Sequence, residues 1–437
     1  MEFDIDANSS LRKKFNSFYG QLSGWSSGGK VPDLASQDLR RTMELQQQHW
    51  KSLGLKVCYR FKRRQNGSAD VANLAYNDRV FENRFLAGQK ELTTTITSGG
   101  RTVYERKNSA TMSVVIQDLL KGCQPPPDMP LCCPHCGGPA TIEQLAAGCP
   151  YCDTHIIVNE FYPRITDYDI DKHPEDSSGR RLREFLLCAV IGIVISLLAI
   201  PFYDDIAHLL MSLMGDLPRD LPKDNPMDYP LAAPDQPILP GAVLAGVVLG
   251  FGMWFLWKLF SIFARMGKEL LGTGKVARSL IFRNEMHKID PMFSSEYFRD
   301  RAMHLFRMAA YSKDPSLFSS CECSRPASWD TVIDASLHNL GVDSYRIRGN
   351  DCTVAVTLYT DCLIYRRGRI SSRLKKIRMK LRKTVTAPTD LGFSVRAVSC
   401  PSCGASFDAE QVSSCPFCGN KYDLSKYDWV LTDIRQA

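Results

Sequence analysis

The sequence has no Gly-rich phosphate loop and no His-Glu-x-x-His pair. The commonest marks of nucleotide and metalloprotease chemistry are therefore missing. Its eight histidines are scattered, without the paired spacing of a catalytic metal site. The opening residues, Met1 to Lys14, contain no apolar core of a cleavable secretory signal. Charge of either sign is absent from two long stretches, Phe185 to Tyr203 and Ile238 to Trp257.

Each of those stretches is about as long as the ~20 residues a helix needs to cross a hydrocarbon core. Arg180, Arg181 and Arg183 precede the first, and Lys258, Arg265 and Lys268 follow the second. The spacer between them holds seven aspartates, Asp204 and Asp235 among them, against Arg219 and Lys223. Lys/Arg bias at the flanks sets topology. The pattern predicts a transmembrane hairpin with helices at 184–203 and 238–263 and an extracytoplasmic loop at 204–237. It places both termini in the cytoplasm, as in a multi-pass protein of the cell membrane. Two buried helices of a large soluble domain are the competing reading, but such helices are normally shorter or amphipathic. With no charge to line a pathway, the hairpin reads as an anchor rather than a channel. Gly246 and Gly250 form a small-residue step that suits close approach to the first helix.

Sixteen cysteines in a small secreted chain would suggest disulfides, but eight of these form four Cys-x-x-Cys pairs. Cys133/Cys136 and Cys149/Cys152 are separated by twelve residues, and Cys400/Cys403 and Cys415/Cys418 by eleven. Two such knuckles can present four thiolates tetrahedrally to one metal, so two structural zinc ions are expected. The competing reading, a redox dithiol, normally uses a single motif near a βαβ pattern. All four knuckles share Cys-Pro, and three carry glycine after the second cysteine, with Asp153 the exception. That is an internal repeat. Cys132 and His135 break the two-residue spacing, although either could compete for a ligand place.

Residues 1–123 read as a small α+β domain of unknown role. A helix from Ser36 to Gly54, a strand at Leu55–Arg64 and a hairpin turning at Gly99-Gly100 are its signals. A linker follows at 124–131, the first ribbon at 132–158 and an extended, acidic juxtamembrane segment at 159–183. Beyond the hairpin, a continuous helix is expected from Leu259 to Lys288, then an amphipathic helix with Phe298, Met303, Phe306 and Ala310 on one face. A short helix is expected from Trp329 to Leu340, followed by a meander of long strands. The second ribbon, at 398–421, interrupts a C-terminal domain at 270–437. The expected class is α+β, with a curved sheet wrapping helices.

The stretch Asp290-Pro291-Met292-Phe293, with Phe298, Phe306, Ala310 and Lys313-Asp314, resembles the opening helices of the inner-membrane translocase subunit 44-like domain family. The arrangement is similar to that of bacterial, membrane-anchored members. The resemblance implies a nuclear-transport-factor-2-like cone: helices on a curved antiparallel sheet with a cavity between them. The second ribbon departs from the family pattern and would cap that cavity.

From Arg366 to Lys383 there are ten Lys/Arg and no acid. Ile377, Met379 and Leu381 alternate with Arg378, Lys380 and Arg382, the pattern of a half-buried strand. A solvated face is the plain reading of such a run. The functional one has Arg366, Arg367, Arg369, Arg378, Lys380 and Arg382 binding an anionic surface, either lipid headgroups or RNA. The sequence thus reads as a membrane-anchored, non-enzymatic adaptor whose C-terminal domain binds a protein or peptide partner or the anionic membrane surface. The alternative is a membrane-tethered ribosome- or nucleic-acid-binding protein, and a third possibility is an enzyme using the cone cavity.

Overall fold

A computed structural model describes residues 5–63, 71–133, 135–156, 162–173, 178–199, 238–270, 273–324, 326, 329–385, 388–396 and 398–436. The chain forms two compact units. Unit 1 combines residues 1–174 with 274–437, and unit 2 spans 175–273.

The first half of unit 1 opens with helices α1 (Ile5–Ser26) and α2 (Gln37–Ser52). Ser36 caps α2 by accepting from the Leu39 amide, and Asp38 lies in the first turn, where negative charge suits the helix dipole. Strands β1 (Leu55–Arg63), β2 (Val71–Asn77), β3 (Phe81–Ser98) and β4 (Arg101–Leu119) follow. The hairpin between β3 and β4 turns on Gly99 and Gly100, both at the positive φ that a tight two-residue turn requires. A first cysteine module holds β5 (Pro130–Cys132), β6 (Pro139–Thr141) and α3 (Ile142–Ala147), after which β7 (Arg164–His173) returns to pair with β4. The sheet order is β1-β3-β4-β7, with β2 also on β3. Phe15, Phe18, Leu22, Trp25 and Trp50 fill the space between helices and sheet.

Unit 2 is a helix pair, α4 (Ser178–Ala199) and α5 (Ile238–Leu270). Glycines set their separation. A Cβ on Gly250 would stand 2.6 Å from Ala189 Cα, and one on Gly246 would stand 2.5 Å from Ile193 Cα. The small-residue step therefore meets the first helix of the hairpin. Gly250→Leu is expected to force the helices apart at a cost of about 1–3 kcal/mol. The readout is loss of amide-exchange protection across Phe185–Leu198, and undiminished protection would show that this contact does not hold the pair.

The expectation of a membrane hairpin is corrected. Among the described residues, no helix is long and apolar enough to cross a membrane. In α4, Arg180, Arg181, Arg183 and Glu184 occupy the N-terminal turns, and in α5 Pro240 and Gly241 stand in the first turn while Lys258, Arg265 and Lys268 enter further along. The expected spans at 184–203 and 238–263, the multi-pass localisation and the orientation with both termini cytoplasmic are all withdrawn. The intervening loop at 204–237 lies outside the described residues.

The second half of unit 1 repeats the plan of the first. Helices α6 (Thr273–Ile289) and α7 (Ser295–Tyr311) precede three long strands, β8 (Val332–Arg348), β9 (Asp351–Arg366) and β10 (Arg369–Thr384). A second cysteine module with β11 (Val398–Ser399) and β12 (Ser406–Phe407) comes next, and β13 (Val430–Gln436) returns to β10. The order β13-β10-β9-β8 is that of β7-β4-β3-β1. Counterparts meet one another: α2 packs on α7, β4 approaches β10, and β6 approaches β12. That is the arrangement found where two copies associate about a two-fold axis.

The stretch expected as one helix from Leu259 to Lys288 is helical on both sides of residues 271–272, which lie outside the described residues. Two readings of this half are corrected. The helix expected at Trp329–Leu340 is the start of strand β8. Its pairing with β9 shifts register at Val332/Asp334, Leu337/Asn339 and Val342/Ser344, and each bulge breaks the alternation that marks a strand. Finally, the space between helices and sheet holds a packed core. Phe282, Phe293, Phe298, Phe306, Trp329 and Trp429 fill it, with the rings of Phe298 and Trp429 4.9 Å apart.

Candidate functional site

The four cysteine knuckles fold alike. In each, the residue after the second cysteine adopts positive φ: Gly137 at 76°, Asp153 at 58°, Gly404 at 73° and Gly419 at 74°. Its amide then donates back to the carbonyl of the first cysteine, at 2.8–2.9 Å in all four. This tight turn brings both sulfurs of a pair to one side, and Asp153 accepts a conformation that glycine takes freely. Two knuckles face each other in each module. Cys133 Sγ lies 3.6 Å from Cys152 Sγ and Cys136 Sγ 3.7 Å from Cys149 Sγ. In the second module the Cys400–Cys418 and Cys403–Cys415 distances are 3.6 and 3.7 Å. These separations are far beyond a disulfide bond of about 2.05 Å. In each group all four sulfurs lie within 4.8 Å of one another, so two four-cysteine groups could hold metal ions. The hydroxyl and amide of Thr154 hold the Cys152 thiol down and the amides of Ser402 and Cys403 hold Cys400 down, while desolvation and the neighbouring sulfurs push Cys136 and Cys403 up to about 12. One sulfur of each group is thus favoured as the first thiolate, the form that ligates metal.

Cys132 stands outside its group. Its Sγ donates to the Arg396 carbonyl at 3.2 Å, and burial pushes its thiol up to about 12. Cys321 and Cys323 are likewise core thiols, raised by burial to about 12 and 11.

The larger surprise lies between the two halves of unit 1, where α7 faces strand β7. Arg307 spans two carboxylates, with Nη1 2.7 Å from Asp167 Oδ1 and Nη2 3.1 Å from Asp169 Oδ1. Arg301 Nε lies 2.8 Å from Asp428 Oδ2, both side chains being buried. His304 touches Thr42 Oγ1 at 3.1 Å and Glu410 Oε1 at 3.2 Å. Burial drives His304 down to about 4 and Glu410 up to about 7, so the ring is neutral at pH 7. Across the same boundary, Lys172 Nζ and Tyr59 Oη both donate to Asp334, at 2.7 and 2.9 Å.

Beside this network runs a cleft of about 510 Å³. One wall carries Phe85, Val114 and Asp169 from the first half, and the other Met303, Arg307 and Leu337 from the second. A smaller cavity of about 80 Å³ shares Tyr76, Asp167 and Asp300 with it. Sequence reasoning missed these residues. One signal was the alternation Asp167, Asp169, Asp171, which places three carboxylates on one face of an extended segment. A second was Arg301, His304 and Arg307, a polar row at three-residue spacing along α7.

The basic strand is β10. Ile377, Met379 and Leu381 are buried, while Arg378 and Lys380 are exposed and Arg382 is half-buried. Arg366, Arg367 and Arg369 are exposed at the turn between β9 and β10. Arg382 is tied to Glu322 at 2.8 Å, and Lys380 lies 3.8 Å from Asp433. Lys383 leaves the basic face altogether: it is 1% exposed and lies 3.8 Å from Asp290, the aspartate of the Asp-Pro-x-Phe motif.

No family model, curated protein or solved structure matches the chain. The likeness to the translocase subunit 44-like family rests on the residues quoted for it.

Proposed function

We propose that the protein is a non-enzymatic adaptor that holds a protein or peptide partner in the cleft between the two halves of unit 1, with zinc in both four-cysteine groups. The cleft carries this reading. Neither half forms it alone, both contribute apolar and charged side chains, and its ~510 Å³ lies within the 300–1,000 Å³ of ordinary ligand sites. Zinc is supported by the donor set, since closed sites of four cysteines are the usual structural zinc centres. A tetrahedron with Zn–S bonds of about 2.3 Å has edges of about 3.8 Å, and the paired sulfurs stand at 3.6–3.7 Å. With four thiolates per ion, no coordination position remains for substrate, so the metal braces structure.

The test is selection of displayed peptides on the purified protein. Enriched peptides should lose at least about tenfold in affinity for Phe85→Glu, which places charge on the apolar wall. They should bind Arg378→Glu undiminished. Equal binding to Phe85→Glu would remove the cleft from the reading. Loss of binding on Arg378→Glu would favour the basic face of β10 instead. That face supports a second reading as a nucleic-acid contact, because Arg366, Arg367, Arg369 and Arg378 are exposed together along one hairpin.

A further inference from the structure

The small cavity that adjoins the cleft is walled by a row of polar side chains in register across four strands. Tyr76 pairs with Asn83, Asn83 with Gln117, and Gln117 with Arg164. A polar row inside a sheet needs partners. Gln117 has them: its Nε2 donates to the Leu391 carbonyl at 2.8 Å, and its Oε1 accepts from Arg164 Nε at 2.9 Å. Asn83 does not. It is 1% exposed, and its Oδ1 is buried with no hydrogen-bond partner. On the opposite side Gln37 Oε1 and Arg301 Nη2 are buried and equally unpartnered, and both residues line the cavity.

These orphans define a ligand. Two acceptors, Asn83 Oδ1 and Gln37 Oε1, call for a donor with several hydrogens. One guanidinium donor, Arg301 Nη2, calls for an acceptor close by. Asp38, Asp167, Asp300 and Asp428 line the cavity with Arg164 and Arg301, Asp428 being paired with Arg301 and Asp167 with Arg307, and His304 is neutral. We infer that the cavity captures the free amino terminus of a peptide, its ammonium held by the acceptors and carboxylates and its first carbonyl by Arg301. Capture of an N-terminal amine is a known recognition mode. A volume of about 80 Å³ admits an amino group and one small residue, and the peptide then continues along the larger cleft through the shared Tyr76 and Asp300.

A lysine side chain fits less well, because it offers no carbonyl to Arg301. Burial, and then the neighbouring Asp167, hold the Asp300 carboxyl up to about 8, and burial with Glu410 raises Asp38. Asp300 meets Tyr76 from β2, Asp167 from β7, and Arg299 and Arg307 from its own helix.

This inference rests on the cleft reading and has its own test. Thermal unfolding of the full chain is followed with millimolar glycinamide, N-acetylglycinamide or propylamine. Glycinamide should raise the midpoint, since a ligand that binds only the folded state stabilises it. N-acetylglycinamide should bind at least about tenfold more weakly, because acetylation removes the charge and leaves the acceptors unpaired. Propylamine should fall between them. Asn83→Leu, close in shape, should abolish the glycinamide shift. Equal shifts from glycinamide and its acetylated form, no shift from either, or a full shift in Asn83→Leu would each overturn the inference and leave ordered water as the occupant. The first comparison uses the unaltered protein, so it stands even where Asn83→Leu does not fold. Peptides that require Phe85 but bind equally well when N-acetylated would sink this inference and leave the cleft reading intact.

Discussion

Replacing Cys149 or Cys415 with serine is expected to remove one of two zinc ions per chain and to unfold the module around it. Each module has too small a core to stand without metal. The first relies on Leu131, Ala140, Ile142, Leu145 and Ile156, the second on Val395, Val398, Phe407 and Tyr422. Cores of this size normally need a staple. Structural zinc binds with an apparent free energy of about 10–16 kcal/mol in small modules, and that energy is also folding energy. The loss should reach beyond the ribbon. Gly392 sits where a Cβ would stand 2.5 Å from the Phe81 ring, so the chain leading into the second module packs on the sheet of the first half. Metal analysis should give two zinc ions for the parent and one for each variant, with a destabilisation of several kcal/mol, about 3 or more, in denaturant. Two ions retained in Cys149→Ser, or none in the parent, would refute the metal assignment.

Arg307→Met is expected to cost about 3–5 kcal/mol, the usual penalty for breaking a buried ion pair from one side. The guanidinium is 8% exposed and bridges Asp167 and Asp169, which it would leave facing each other without a cation. Methionine keeps the length and apolar stem, so the loss reports the charge. Adding Asp167→Asn and Asp169→Asn should recover much of it, because neutral amides no longer repel. The deficit should also depend on pH. Burial raises Asp169 to about 7, with Arg307 opposing. A carboxyl raised in the folded state binds its proton more tightly there than in the unfolded chain. Its unfavourable contribution is therefore absent below about pH 4, grows between about pH 4 and 7 and is level above that. Without Arg307 the folded carboxyl is raised further and the growth continues past pH 7, so denaturant titrations should show a larger deficit at pH 8.5 than at pH 5.5. Equal deficits at both would mean that the Arg307 effect is packing alone.

What could be read from the sequence was local. Metal ligands declare themselves by spacing over a few residues, so all eight cysteines of the two groups were legible, as was the glycine that follows three of the four knuckles. Ser36 capping α2 and the alternation of Ile377, Met379 and Leu381 are likewise matters of neighbours. Strand β8 was hidden because three bulges scramble its period. The charge-free runs misled because a run is read from composition alone, whereas the helices that contain them also carry Arg180, Arg181, Arg183, Lys258, Arg265 and Lys268. The network of Arg301, His304 and Arg307 was invisible for a different reason. Its partners Asp167, Asp428 and Glu410 lie more than a hundred residues away in sequence, and only the folded sheet brings them to α7.

The repetition of one plan in both halves bears on what the cleft can distinguish. In a homodimer of identical halves, a groove on the two-fold axis must present the same residues from either side, and an elongated ligand could enter in either direction. Two halves of different sequence in one chain are free of that constraint. Helix α2 brings Gln37, Asp38 and Thr42 to the boundary, while its counterpart α7 brings Asp300, Arg301, His304 and Arg307. The two walls carry different chemistry on equivalent scaffolds. A groove of this kind has a head and a tail, so a bound chain can be told from its own reversal.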